Sequence, residues 1–389
     1  MNDPILICGA GPAGLALAND LALEGADVVL IEQSDEKTLA EPPFDGREIA
    51  LTHKSIATLR RLGAWERLPA DAAHPLSRAK VYNGRSPFAL GFAPGARSSA
   101  NLGSMVSNCD IRRALFDSAA TRPNIRLMTG VRVDRVSTDA RIALATLDNG
   151  ERLSGSLLVA ADSRFSTIRG LLGIPARMHR LGKTMLVGRV ALDRDHEGIA
   201  TEWFDHGQTI AVLPLAHRVA SAVVTLPDEQ AAALADMDAL ALGAELTRRF
   251  GRRFGGMTML TPMHRYPLTI SYADRFVATR AALAGDAAVG MHPVTAHGFN
   301  LGLSGTTRLA RLVGQALQQG GDAGASTLLR RYEIGHRAAT WPLYTATNAI
   351  VGLYNDERRV GRIARRVGIG AARITPARHL ISRMLMQPA

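Results

Sequence analysis

A glycine-rich turn wedged between two short apolar runs constrains this chain more than any other feature of it. Residues 4–8 and 27–32 have the make-up of buried strands, and residues 14–24 form an alanine- and leucine-rich helical segment stopped at Gly25. The joint between the first strand and the helix is Gly9-Ala10-Gly11-Pro12-Ala13-Gly14. Glycines there permit a tight turn and let a pyrophosphate approach the helix N-terminus, where the dipole and the free N–H groups favour an anion. Glu32 closes the second strand 18 residues after Gly14, placed to accept hydrogen bonds from adenosine ribose hydroxyls and to disfavour a 2′-phosphate. Turn, helix and acid together predict a Rossmann-like α/β dinucleotide-binding domain. The plainer alternative is the glycine-rich turn of an ordinary α/β domain.

The 389 residues are enough for two or three domains, and a 47% hydrophobic content with 21% charged residues excludes a largely disordered chain. Short strands are expected over residues 125–162, with Asp148-Asn149-Gly150 as a hairpin turn, and helices over 55–62 and 111–120. Antiparallel strands follow at 185–192, 209–213, 219–226 and 268–272, with one helix over about 228–250 inserted among them. The expected architecture is a Rossmann-like domain built from residues 1–75, 98–175 and 275–345, an inserted antiparallel-sheet substrate domain from 76–97 and 176–274, and a basic helical segment over 346–389. Two cysteines, Cys8 and Cys109, make no disulfide framework, no histidine pair has metal-ligand spacing, and no secretion signal is evident, so a cytoplasmic, metal-free protein is expected.

The turn alone does not separate a flavin from a nicotinamide nucleotide. A second signal lies far down the chain, where the buried run Ala281-Ala282-Leu283-Ala284 ends in Gly285-Asp286-Ala287-Ala288, setting a carboxylate beside the first nucleotide site. With this signal the sequence resembles the single-component FAD-dependent aromatic monooxygenases of the p-hydroxybenzoate hydroxylase fold, and more narrowly the ubiquinone-biosynthesis hydroxylases. Further segments carry the resemblance in order along the chain. Asp45-Gly46-Arg47 is similar to the segment whose arginine touches the flavin phosphates, and Asn108-Cys109-Asp110-Ile111-Arg112 to the start of the helix flanking the flavin. Ala161-Asp162-Ser163-Arg164 stands in the place of an Asp-Gly motif tied to FAD and to transient NAD(P)H contact. Gly207 with residues 210–215, Leu213 and Pro214 among them, resembles the strand that covers the flavin face and lines the substrate pocket. His292-Pro293, Gly298-Phe299-Asn300 and Leu301-Gly302-Leu303 complete the flavin-binding signature.

The resemblance implies FAD as cofactor, NAD(P)H or another reductant as a transient co-substrate, and O2. It implies a C4a-hydroperoxide of the flavin that hydroxylates a small lipophilic phenol or quinol, a polyprenylated ubiquinone precursor, with ubiquinone-biosynthesis proteins as partners. Three departures stand out: Ser163 replaces a glycine on the presumed nicotinamide path, Val289 replaces a histidine, and Ala296-His297 replaces a Gly-Gln pair. The last two point to a proteobacterial branch associated with demethoxyubiquinol-type intermediates. His297 and Pro293 are the flavin-adjacent candidates for catalysis, His297 either modulating protonation or replacing glutamine as a structural hydrogen-bonding residue. A flavin halogenase or prenyl reductase is the neighbouring alternative. Against the halogenase, Trp65, Trp203 and Trp341 each lack a Trp-x-Trp partner.

The net charge of +11 raises the different possibility of a basic binding module with a vestigial nucleotide fold. Residues 351–389 hold eight arginines against Asp356 and Glu357, which concentrates more than half of the excess in the last 39 residues. At about 100° per residue, Arg358, Arg359, Arg362, Arg365 and Arg366 fall on one arc opposite Val360, Ile363, Ala364 and Val367. Trp341, Tyr344, Val351 and Tyr354 precede them at near-helical spacing. This pattern suits an anionic membrane surface, such as the inner face of the cytoplasmic membrane, or equally a helical cap on the nucleotide domain with solvated arginines. No basic and aromatic stripe supports a nucleic-acid partner.

Overall fold

The computed structural model describes residues 3–84, 89–94, 101–205, 207–293 and 297–355. Strands Ile5–Cys8 and Val28–Ile31 are parallel neighbours, joined by the helix Pro12–Leu23, as the opening turn predicts. They belong to a six-stranded sheet in the order Val277–Ala278, Ala281–Leu283, Leu157–Ala160, Ile5–Cys8, Val28–Ile31, Ile125–Met128. All its pairings are parallel except the short hairpin at the Val277–Ala278 edge. The central strands are buried along their whole length, which is why they read as continuous apolar runs rather than as alternating ones. Helix Pro12–Leu23 packs between Asn108–Ala120 and Gly298–Gln318.

The second large sheet has nine strands. Its main path runs Val289–Gly290, His264–Ala273, Ala176–Leu192, Val219–Pro227, Gln208–Pro214, Ile199–Asp205, Arg78–Asn83, Ala89–Phe92, and Met257–Met259 pairs with Ala176–Leu192. Period-two alternation gives this sheet two distinct faces. One face buries Leu186, Val190, Trp203, Ile210, Val212 and Val224 in a core shared with Leu234, Leu246 and Phe250. Trp203 anchors that core, stacked on Tyr82 and edge-on to Phe250. The other face carries Ala200, Leu213 and Val219 onto Leu76 and Met105, which lie on strands of a small sheet in the order Glu48–Leu51, Gly103–Ser107, His74–Leu76. That small sheet holds the large one against the nucleotide-binding part.

The expected helix over 228–250 is two helices, Asp228–Ala235 and Ala239–Arg249. Asp238 starts the second by accepting a hydrogen bond from the Ala241 N–H, so a capping aspartate interrupts an otherwise continuous apolar pattern. The strand expected at 185–192 extends over Ala176–Leu192, with a register shift between Arg180 and Thr184 around Gly182, whose φ is +62°. The final helix, Ser326–Asn355, runs through residue 346 without a break, so no structural boundary falls there. The arginine-rich stretch at 358–366 lies outside the described residues.

Candidate active site

The dinucleotide turn is built by exclusion of side chains. Gly9 has φ +106°, and a Cβ on it would sit 2.7 Å from the Ala161 carbonyl oxygen and the Asp162 Cα. A Cβ on Gly14 would stand 1.8 Å from the Gly9 carbonyl oxygen, while one on Gly11 would meet nothing within 4 Å. Gly11 therefore leaves open space at the helix N-terminus, where among the described residues no side chain caps the backbone and no acid occupies the first turn. Such an end, with unshared N–H groups, is the physical requirement for a pyrophosphate. Pro12 and Ala13 lie in the first turn of that helix. Glu32 is fixed at the mouth of the turn, accepting from Ala10 N–H at 2.7 Å and Ser34 N–H at 2.9 Å.

The late Gly-Asp signal is brought onto this turn. Gly285 has φ +58°, and a Cβ there would lie 2.7 Å from the Ala13 Cβ. Asp286 is held by Arg164 at 2.8 Å, and Arg164 also donates to the Thr269 carbonyl on the large sheet. Asp162 accepts from Ser166 Oγ at 2.6 Å, the same hydroxyl that caps the short helix Thr167–Leu171, so its carboxylate orders the segment beside Gly9. Cys8, buried under this turn, has its thiol pushed up by burial and by Asp162, which suits a core residue and not a nucleophile.

Arg47 forms a two-point pair with Asp45, at 3.0 and 2.6 Å, and lies over the Tyr266 ring. Burial alone pushes the Asp45 carboxyl up, but Arg47 and the Asn108 amide outweigh it and hold it below the ordinary carboxylate range. Arg112 is half-buried on the helix Asn108–Ala120. Sequence reasoning missed the adjacent pair of Glu48 and Arg189, which joins the small sheet to the large one at 2.8 Å. Burial pushes Glu48 up to about 7, Arg189 offsetting only part, and among the described residues its Oε2 has no hydrogen-bond partner.

At the start of the helix Gly298–Gln318, His297 is buried in the N-cap position. Gly298 and Phe299 open the first turn. Asn300 has its side chain engaged with protein: its Oδ1 accepts from Thr52 N–H and Ser55 Oγ, and its Nδ2 donates to the Ala50 carbonyl. The signature asparagine thus seats the helix on residues 50–55. Pro293 is half-buried beside His292, whose imidazole is held at about 4 by burial and then by Lys183, a residue from the register shift in Ala176–Leu192. His292 belongs to the flavin-binding signature of the resemblance, whereas Lys183 was assigned no role from sequence. Leu213 lies on the large-sheet face turned toward the nucleotide part, but Pro214 does not. Its register partner Ala220 belongs to the opposite core, which removes Pro214 from the expected pocket lining. Among the described residues no cluster of His, Cys, Asp or Glu has the makings of a metal site.

The turn, the Gly-Asp signal and the Gly298 helix start fit an extended dinucleotide with a ring system. The first offers a side-chain-free cradle for phosphates, the second a carboxylate for polyol hydroxyls, and the third a helix N-terminus for a ring that carries negative charge. A model of the FAD binding domain matches residues 3–347. Ubiquinone hydroxylase UbiM of Neisseria meningitidis is 40% identical over 99% of this chain and 85% of its own length. Ubiquinone hydroxylase UbiL of Rhodospirillum rubrum is 34% identical over 98% of this chain and 89% of its own. The crystal structure of PqsL, a probable FAD-dependent monooxygenase from Pseudomonas aeruginosa, superposes with a TM-score of 0.74 at 22% identity, covering 92% of this chain and 97% of that one.

Proposed function

Since this chain belongs to the FAD binding domain family and has ubiquinone hydroxylases among its relatives, we propose that it hydroxylates the aromatic ring of a polyprenylated ubiquinone precursor, using O2 and NAD(P)H. The observation that carries this reading is the junction of three segments: Gly285 closes on Ala13 in the turn that holds Gly11, and Gly302, in the helix that starts at Gly298, lies against Gly285. When bound, FAD supplies O2 activation and an electrophilic oxygen. The chain's own residues supply everything else. The Gly9 to Gly14 turn, with Arg47 and Arg112, would hold the phosphates; Glu32 would hold the adenosine ribose and Asp286 the ribityl chain. N–H groups of the first turn after His297 would stabilise negative charge on the ring. The face of the large sheet bearing Leu213 would cover the substrate ring and keep water out. Ser163 borders the path proposed for a transient nicotinamide.

Purified protein is expected to be yellow and to form a hydroxylated product only with O2 and reductant present. In strains lacking individual ubiquinone ring hydroxylases, the intermediate that disappears on complementation identifies the ring position. A halogenated or prenyl-reduced product instead would overturn the reading.

No helix among the described residues is long and apolar enough to cross a membrane. The substrate's polyprenyl chain nevertheless partitions into lipid, and we infer that the eight arginines of residues 351–389 hold the enzyme on an anionic membrane face. Trp341 and Tyr344 support this only in part, because both pack on Tyr272, although Trp341 stays 43% exposed. Protein truncated after Asn355 is expected to lose flotation with anionic liposomes at low salt, and undiminished binding would remove the tail from this role.

A further inference from the structure

Glu202 is a carboxylate in an unexpected position. It lies in the strand Ile199–Asp205, flanked by Thr201 and Trp203, and Trp203 points into the core on the helix-covered face. Strand alternation therefore sends Glu202 to the opposite face, together with Ala200, which packs toward the nucleotide part. Hydrogen-bonded pairing sets it in a row across the sheet: Val81, Glu202, Ala211, Val223, Val187, His264. That row ends at the segment carrying Arg47, since a Cβ on Gly46 would touch the His264 ring and the Val187 carbonyl, and Phe44 stands edge-on to His264. Glu202 thus faces the proposed substrate side of the sheet, in a row whose four residues nearest to it along the sheet are aliphatic.

Among the described residues no hydrogen bond or ion pair reaches its carboxyl. Of the cations on the same side, Arg189 is paired with Glu48, and Lys183 acts on His292. Neither these groups nor His264 has a resolved effect on Glu202, and burial alone raises its carboxyl to about 8. A half-buried carboxyl with aliphatic neighbours calls for a neutral hydroxyl donor and repels a carboxylated ring.

We infer that Glu202 binds the ring hydroxyl of the substrate and accepts its proton before oxygen transfer. The inference rests on the proposed hydroxylase reading and names the group that selects the substrate. The O–H bond of the ring hydroxyl breaks, the proton passes to the Glu202 carboxylate, and the electron pair stays on the ring oxygen, making the ring a better nucleophile. Burial raises the Glu202 carboxyl toward the range of a phenol, which makes the transfer less uphill than it would be to an ordinary carboxylate.

The test uses FAD-loaded enzyme with 2-farnesylphenol and its methyl ether, 2-farnesylanisole, binding being followed by perturbation of flavin absorbance from pH 6 to 9.5 and hydroxylation by product analysis. Wild type is expected to prefer the phenol by about 10-fold or more at pH 8.5, the range of a charge-assisted hydrogen bond, and the preference is expected to grow through pH 8. Glu202→Gln should retain FAD and bind the anisole as wild type does, lose the preference and its pH dependence, and hydroxylate the phenol at least 10-fold more slowly. A wild-type enzyme with no pH-dependent preference overturns the inference whether or not the variant folds. Hydroxylation that proceeds unchanged in Glu202→Gln sinks the role of Glu202 and leaves the hydroxylase reading standing. Glu202-dependent phenol binding without any hydroxylated product does the reverse.

Discussion

Alanine at position 14 is expected to cost the protein both its FAD and part of its stability, whereas alanine at position 11 should cost only the FAD. The two glycines look alike in sequence, but their surroundings are opposite. A methyl on Gly14 would overlap the Gly9 carbonyl oxygen at 1.8 Å, and Gly9 cannot retreat, being itself wedged at φ +106° against Ala161 and Asp162. The helix Pro12–Leu23 must then shift relative to its strand, an overpacking cost of roughly 1–3 kcal/mol present in the apoprotein too. Gly11 has open space beyond 4 Å around its missing Cβ and an ordinary φ of −69°, so Gly11→Ala folds normally. Its methyl occupies only the volume a pyrophosphate needs, and a loss of about 10-fold or more in FAD affinity, some 1.4 kcal/mol, is the expected result. Thermal midpoints of both apoproteins, set beside FAD fluorescence titrations, check the difference. A Gly14→Ala protein that binds FAD as wild type does would sink this account of the turn.

The same contrast between local and distant information decides what was legible in the sequence. The parallel strands at Ile5–Cys8 and Val28–Ile31, the turn between them and Glu32 were legible because all their determinants lie within one βαβ unit. The Gly285-Asp286 signal could be located, but not its closure against Ala13 or the clamp from Arg164, since each joins segments more than 100 residues apart. Leu213 and Pro214 could be assigned together to a strand. Only the register, with Pro214 opposite Ala220, showed that neighbours on a strand serve different faces. Glu202 was hidden for the same reason: a glutamate beside a tryptophan in a short strand looks solvent-exposed until five pairings place it in an aliphatic row. The broken helix at Asp236–Asp238 is the converse case. Its cue was local, an aspartate able to cap, but the apolar periodicity on either side masked it.

Replacing Asn300 with alanine is expected to destabilise the protein equally with and without FAD. The resemblance assigns this residue to cofactor binding, yet its side-chain amide is used by Thr52 N–H, Ser55 Oγ and the Ala50 carbonyl, in a site where Asn300 is 2% exposed. Alanine removes these three bonds and strands a buried backbone N–H and a carbonyl, each costing roughly 1–3 kcal/mol. Together they put the expected loss at about 2–6 kcal/mol and, for a chain of 389 residues, the drop in thermal midpoint on the order of 2–7 °C. Bound FAD adds a stabilisation set only by its concentration relative to its dissociation constant. If Asn300 acts by seating the helix Gly298–Gln318, the increment from saturating FAD stays at its wild-type value while both midpoints fall. If its side chain held the flavin directly, the apoprotein would be little affected and the increment would shrink. Melting curves of apo and FAD-saturated protein, wild type beside Asn300→Ala, separate the two, and an unshifted apoprotein midpoint would return Asn300 to direct cofactor contact. The geometry favours the first outcome, because a carbonyl oxygen that already accepts at 2.6 and 3.1 Å has little capacity left for a third donor.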